Sequence, residues 1–278
     1  MTLTFKNTPT KTVDVDGISF AYRELGQQGG IPLILLHHLT AVLDDWDPRI
    51  VDALAVKHHV IAFDNRGVGA SGGITPDNIV DMAQDAIGFI DALGLTKVDL
   101  LGFSLGGFIS QAIVEARPEL VRKIVLAGTG PAGGEGIANI GAVLQQSFAD
   151  AGAAGKHPKN FLFFTQTPEG QKAADIFLER LNDRKEDRDT PVSNATIQAQ
   201  VTAITKWGLA PAQNLGTIPH PVFVANGDND IMVPTINSLD LARRLPNNQL
   251  SIFPNSGHGG IFQYHDAFVA QTLSFLQD

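Results

Sequence analysis

Five short, almost wholly apolar runs constrain this chain more than any other feature: Pro32–Leu36, Val60–Phe63, Val98–Leu101, Lys123–Ala127 and Pro221–Ala225. Strands of that length with no polar alternation are buried on both faces, as in a parallel sheet covered by helices. The segments between them have helical spacing. Ile79, Ala83, Ala86, Ile87, Ile90 and Leu93 fall on one face, after Thr75-Pro76 as a start signal and before Gly94 as a stop. Leu105–Arg117 reads as a second helix, ended by Pro118. Upstream, Thr12–Val15 and Ile18–Leu25 flank Asp16-Gly17, a hairpin signal. The expected class is α/β, a mostly parallel twisted sheet with helices on both faces and right-handed crossovers.

The rhythm breaks between residues 133 and 216. Phe148, the cluster Phe161-Leu-Phe-Phe164, Ile176-Phe-Leu178, Ile197, Val201, Ile204 and Trp207 occur there without a strand run. The charged stretch Glu179–Asp189 reads as a solvated helix end or loop. We expect a core domain over residues 1–132 and 217–278, with 133–216 as a helical lid insertion. Strand–helix alternation resumes at Pro221, through Gln249–Phe253 to a final amphipathic helix near Phe262–Leu276.

Composition removes several functional classes. Lys and Arg number 20 against 29 Asp and Glu, a net charge of −9, so a phosphate backbone would be repelled and nucleic acid is not an expected partner. There is no cysteine, which removes disulfides, thiol catalysis and Cys-rich zinc sites. No window approaches the ~18 apolar residues of a membrane span, and the first 30 residues lack an apolar run behind a basic start. A cytoplasmic protein acting on a small molecule is expected; Asn194-Ala195-Thr196, a glycosylation match, is then accidental.

The chemistry concentrates at Gly102-Phe103-Ser104-Leu105-Gly106, a G-x-S-x-G pattern that joins an expected strand to an expected helix. So tight a turn strains Ser104 and pushes its hydroxyl outward, and a Cβ two residues before or after would clash. The helix that begins there directs free N–H groups at a developing negative oxygen. A serine hydroxyl is a weak nucleophile and needs a base, itself oriented by an acid. His258, within Ser256-Gly257-His258-Gly259-Gly260, lies on a loop between the last strand and the last helix. Asp228 and Asp230 both follow the run Pro221–Ala225, and either can be the acid. Hydrolysis should then fall on acidification through the ordinary imidazole range.

The order Ser, Asp, His resembles the α/β-hydrolase fold family over nearly the whole chain. His37-His-Leu-Thr40 resembles the family's oxyanion loop, Asp64-Asn-Arg-Gly-Val-Gly-Ala-Ser71 its D-x-R-G-x-G-x-S turn, and Gly102–Gly106 its nucleophile elbow. Gly227-Asp-Asn-Asp230-Ile-Met-Val-Pro234 resembles its G-x-x-D-x-x-x-P turn, which selects Asp230 over Asp228. The resemblance implies Ser104, Asp230 and His258 as catalytic residues, backbone N–H groups of Leu39 and Leu105 as the oxyanion hole, and no cofactor. His38 stands where the family usually has Gly. With Phe103, Phe161, Phe164 and Trp207 it is a candidate for the substrate pocket, whose apolar lining suggests an ester or related acyl compound. The same three residues serve carbon–carbon hydrolases, perhydrolases and lyases, and the fold also serves small-molecule receptors.

Two other motifs carry less. Gly67-Val-Gly69-Ala-Ser-Gly72 matches G-x-G-x-x-G, but Gly73-Ile-Thr-Pro76 separates it from any helix, against a dinucleotide site. The pairs His37-His38 and His58-His59 put adjacent side chains on opposite faces, so no metal is expected.

Overall fold

The computed structural model describes residues 3–277. The outermost limits of the expected core segments, residues 1, 2 and 278, lie outside the described residues. Eight strands form one sheet: β1 (Lys11–Val15), β2 (Ile18–Leu25), β3 (Leu33–Leu36), β4 (Val60–Phe63), β5 (Val98–Phe103), β6 (Val121–Ala127), β7 (Val222–Gly227) and β8 (Asn248–Phe253). Their order is β1-β2-β4-β3-β5-β6-β7-β8. β3 to β8 are parallel, and the hairpin β1–β2 joins antiparallel through β4. β3, β4, β5 and β7 are buried along their whole length, as their unbroken apolar runs require.

The helices are α1 (Pro48–Ala55), α2 (Ile79–Ala92), α3 (Leu105–Ala116), α4 (Ile140–Ala154), α5 (Lys159–Leu162), α6 (Pro168–Leu181), α7 (Asn194–Leu209), α8 (Ile236–Arg244), α9 (Gly260–Gln263) and α10 (His265–Leu276). On the sheet, α1 packs with α10 and α2 with α3. α4 to α7 occupy the segment between β6 and β7, which is helical and without strands.

Three local expectations change. α2 starts at Ile79 with Asn78 as its cap, because Thr75 Oγ1 is already engaged with Gly67 O and Thr196 Oγ1. The last helix is broken at Tyr264 into α9 and α10. The charged stretch 179–189 is not simply solvated: the Arg184 guanidinium is buried against the carbonyls of Lys6 and Thr8, at 3.3 and 2.8 Å. Charged side chains are buried when they find such partners.

Candidate active site

The β5–α3 turn holds Ser104 at φ 57° and ψ −116°, a backbone region that costs an L residue strain. Glycines make room for it. A Cβ on Gly102 would lie 2.3 Å from Gly106 O, and one on Gly106 would lie 2.0 Å from Leu36 O. Neighbouring backbone then fixes the turn: Ser104 N–H donates to Ala127 O at 2.9 Å, and Thr129 Oγ1 donates to Ser104 O at 2.9 Å. α3 begins at the next residue, so the positive end of its dipole faces the serine. The N–H groups of Leu39 and Leu105 donate to no acceptor among the described residues.

The two aspartates after β7 have different partners. Asp228 pins the loop that carries His258, accepting the N–H groups of Asn255 (3.0 Å) and Ser256 (3.1 Å). Asp230 faces the imidazole itself, with Oδ2 at 2.7 Å from His258 Nδ1, while Oδ1 accepts the N–H groups of Met232 (2.8 Å) and Val233 (3.0 Å). A carboxylate only accepts, so Nδ1 carries the hydrogen, which leaves Nε2 as the ring's acceptor whenever it is unprotonated. That Nε2 is buried and has no hydrogen-bond partner among the described residues, Ser104 included. The ring stands at the elbow: its centroid is 4.9 Å from that of Phe103, and a Cβ on Gly128 would approach it to 3.3 Å.

His38 shares these neighbours. Its ring is edge-on to Phe103 at 5.4 Å and to Phe163 at 5.1 Å, and Phe163 is also 5.3 Å from the His258 ring. Nδ1 donates to Leu39 O at 2.7 Å, and Nε2 is buried without a partner. Burial first, then the Lys159 charge, pushes the pKa of His38 down to about 3, so the ring is neutral. Burial likewise carries its neighbour His37 down to about 4, but that ring lies beside Trp46 with Nε2 3.8 Å from Asp64 Oδ1.

Of the expected pocket residues, Phe103 and His38 meet at the elbow, and Phe164 lies 3.3 Å from where a Cβ on Gly259 would sit. Phe161 is partly exposed and makes no ring contact there, and Trp207 stacks on Phe108 at 5.5 Å with Nε1 bonded to Gly130 O. Two residues were not anticipated. Phe163 touches both imidazoles, and its carbonyl accepts Gly259 N–H at 2.7 Å. Gln200, on α7, accepts Thr40 N–H at 2.9 Å and so holds the loop after His38, where Thr40 has φ 66°. Their only sequence signals are a phenylalanine within an aromatic cluster and a polar residue within an amphipathic helix, neither specific.

The site is closed. Ser104 and His258 are 3% and 1% exposed, and a cleft of about 550 Å³, lined by Thr40, Asp45, Lys159, Asn182 and Arg188 among others, has the Lys159–Asp45 ion pair in its wall and neither Ser104 nor His258 in its lining. A cavity of about 770 Å³ lies at the opposite, amino-terminal edge of the sheet, around Gln27–Ile31, His58 and Arg122, away from the serine.

Comparison with known proteins adds a family. Residues 31–263 match the family described as alpha/beta hydrolase fold. A solved alpha/beta hydrolase fold protein from Chitinophaga pinensis is 41% identical, covers 99% of this chain and 100% of its own, and superposes with a TM-score of 0.95. A 2-hydroxy-6-oxo-6-phenylhexa-2,4-dienoate hydrolase of Burkholderia cepacia is 28% identical, covering 95% of this chain and 94% of its own. A bromoperoxidase from Bacillus anthracis, 21% identical with a TM-score of 0.74 and covering 97% and 100% of the two chains, shares the fold.

Proposed function

Because this chain belongs to the α/β-hydrolase fold family, we propose that it is a cytoplasmic serine hydrolase of a small carboxylic ester or related acyl compound, with residues 133–216 as its lid. Ser104 Oγ attacks the carbonyl carbon while its proton passes to His258 Nε2. Asp230 holds the imidazole tautomer and stabilises its cation, and the N–H groups of Leu39 and Leu105 take the oxyanion. The alcohol leaves with the proton from His258. Water, deprotonated by the same nitrogen, then releases the acid and restores the serine. Apart from the substrate and that water, every step uses groups of this chain.

The observation that carries the reading is the His258–Asp230 contact of 2.7 Å, buried at the same turn as a serine held at a strained φ of 57°. The open Nε2 is consistent with catalytic hydrogen bonds that tighten only around substrate. The Burkholderia relative favours a second reading, in which the same three residues cleave a carbon–carbon bond beside a ketone.

Labelling with a fluorophosphonate, digestion and mass spectrometry test the nucleophile. The adduct should sit on Ser104, and Ser104→Ala should abolish both labelling and p-nitrophenyl butyrate hydrolysis. Labelling elsewhere, or turnover that survives the substitution, rejects the reading. Ser104-dependent cleavage of a vinylogous diketone without ester turnover would select the carbon–carbon reaction.

A further inference from the structure

Two imidazoles, His38 and His258, flank the same pair of rings, Phe103 and Phe163, and each has a buried Nε2 with no hydrogen-bond partner among the described residues. Both tautomers are fixed, since Leu39 O and the Asp230 carboxylate can only accept from the Nδ1 positions. The site therefore offers an acceptor at His38 Nε2 beside the one the proposed chemistry uses at His258, and a buried acceptor left unmatched is destabilising. The nearby donors can be counted. Ser104 has one O–H, and the proposed chemistry assigns it to His258. The N–H groups of Leu39 and Leu105 face the oxyanion. Thr40 N–H is held by Gln200 Oε1 at 2.9 Å, and the Lys159 ammonium is drawn to Asp45. Among the described residues none donates to His38 Nε2: Trp46 Nε1, also without a partner, belongs to a ring that lies beside His37.

We propose that His38 Nε2 accepts a hydrogen bond from a hydroxyl or N–H group of the substrate, carried on the atom bonded to the reacting carbonyl. The placement follows from the shared rings: His38 and His258 both pack on Phe103 and Phe163, so the His38 acceptor lies close to the elbow, and a donor on the atom next to the carbonyl is the substrate donor nearest to the reacting carbon. The favoured substrates are thus α-hydroxy and α-amido acyl compounds. His38 is a specificity-determining residue, and the inference rests on Ser104 being the nucleophile.

The test compares phenyl 2-hydroxypropanoate with phenyl 2-methoxypropanoate, whose ether oxygen can accept but not donate. Wild type should favour the hydroxy ester by about tenfold or more in kcat/KM, because the ether leaves His38 unmatched. In His38→Phe, which keeps a ring but removes the lone pair, the ratio should fall to within about threefold. His38→Gln keeps an acceptor oxygen and should retain part of the preference; it also decides the matter if the Phe variant does not fold. A wild-type ratio near one, or a ratio unchanged in both variants, overturns the inference. Ser104→Ala separates the two claims: if it still turns over both esters, the nucleophile reading falls and takes this one with it. A ratio of one with Ser104-dependent turnover removes the His38 inference alone.

Discussion

Asp228 and Asp230 are two residues apart and carry the same group, yet their contacts give them separable roles. Asp230 meets the imidazole at 2.7 Å, and Asp228 accepts backbone N–H groups of the loop bearing it. Asp230→Asn should leave the fold intact and lower kcat by about 10⁴, because an amide stabilises the wrong imidazole tautomer. Asp228→Asn replaces one accepting oxygen with a donor beside an N–H, so it should cost about 1–2 kcal/mol of stability in urea denaturation with most turnover retained. The reverse pattern would make Asp228 the acid. Of the two, Asp230 was legible only through the spacing to Pro234, since nothing in Gly227-Asp-Asn-Asp230 says which carboxylate turns inward. Phe163 was not legible at all. In Phe161-Leu-Phe-Phe164 the ring that reaches the imidazoles depends on α5 stopping at Leu162, and a helix of four residues leaves no periodicity to read.

At the scale of elements, the elbow works because three pieces of backbone converge: the end of β5, the first turn of α3 and the end of β3. Gly106→Ala would drive a Cβ to 2.0 Å from Leu36 O, backbone against backbone with no flexible atom to yield. It should lower stability by about 3 kcal/mol or more, and a melting temperature within a degree or two of wild type would show that the elbow is looser than its contacts imply. The helices over the site are anchored more firmly than a hinged lid would be. Arg180 on α6 grips Asp47, the cap of α1, at 2.5 to 3.0 Å, and Asp189 N–H donates to Asp44 at 2.9 Å. We therefore expect opening to be local, in the segment around α5, where Lys159 lines the cleft and Phe163 packs on both imidazoles. Phe163→Leu should cost about 1 kcal/mol yet raise kcat/KM for p-nitrophenyl hexanoate relative to acetate by about threefold. An unchanged ratio would place the substrate path elsewhere. The parallel strands were readable because a strand buried on both faces leaves an unbroken apolar run. The anchors were not, because Arg180, Arg184 and Asp189 look in sequence like any solvated charge run.

For the molecule as a whole, the enclosure that buries the site also shapes its response to acid. Burial carries His37 down to about 4 and His38 to about 3, and lowers His58 and His157 as well. Below about pH 6.5 the unfolded chain binds protons at these rings that the folded chain refuses, so stability falls with pH, by about 1.4 kcal/mol per pH unit for each fully buried ring, until its folded pKa is reached. Carboxyls work the other way. Burial raises Asp85 to about 6 in spite of Arg66, and it raises Asp64 well above its usual range, helped by the neighbouring Asp189. Between about pH 6 and 4 the folded state binds protons there that the unfolded state does not, which offsets the histidines. Below pH 4 that offset ends. Asp45 then adds to the loss: burial alone would raise it, but Lys159, His38 and the Val42 N–H bring it to about 2, so the unfolded state protonates it first. Stability should accordingly decline gently from pH 6.5 to 4 and collapse below. Two substitutions move the gentle region in opposite directions. His38→Phe should flatten it by one proton of slope; Asp85→Asn, which mimics the protonated acid at every pH, should steepen it by up to one proton, reduced by the solvent that reaches Asp85. Urea titrations at pH 7, 6, 5 and 4 measure both slopes. Variants that run parallel to wild type would mean that solvent reaches these groups in the folded state, and with that the argument from an enclosed site would fall.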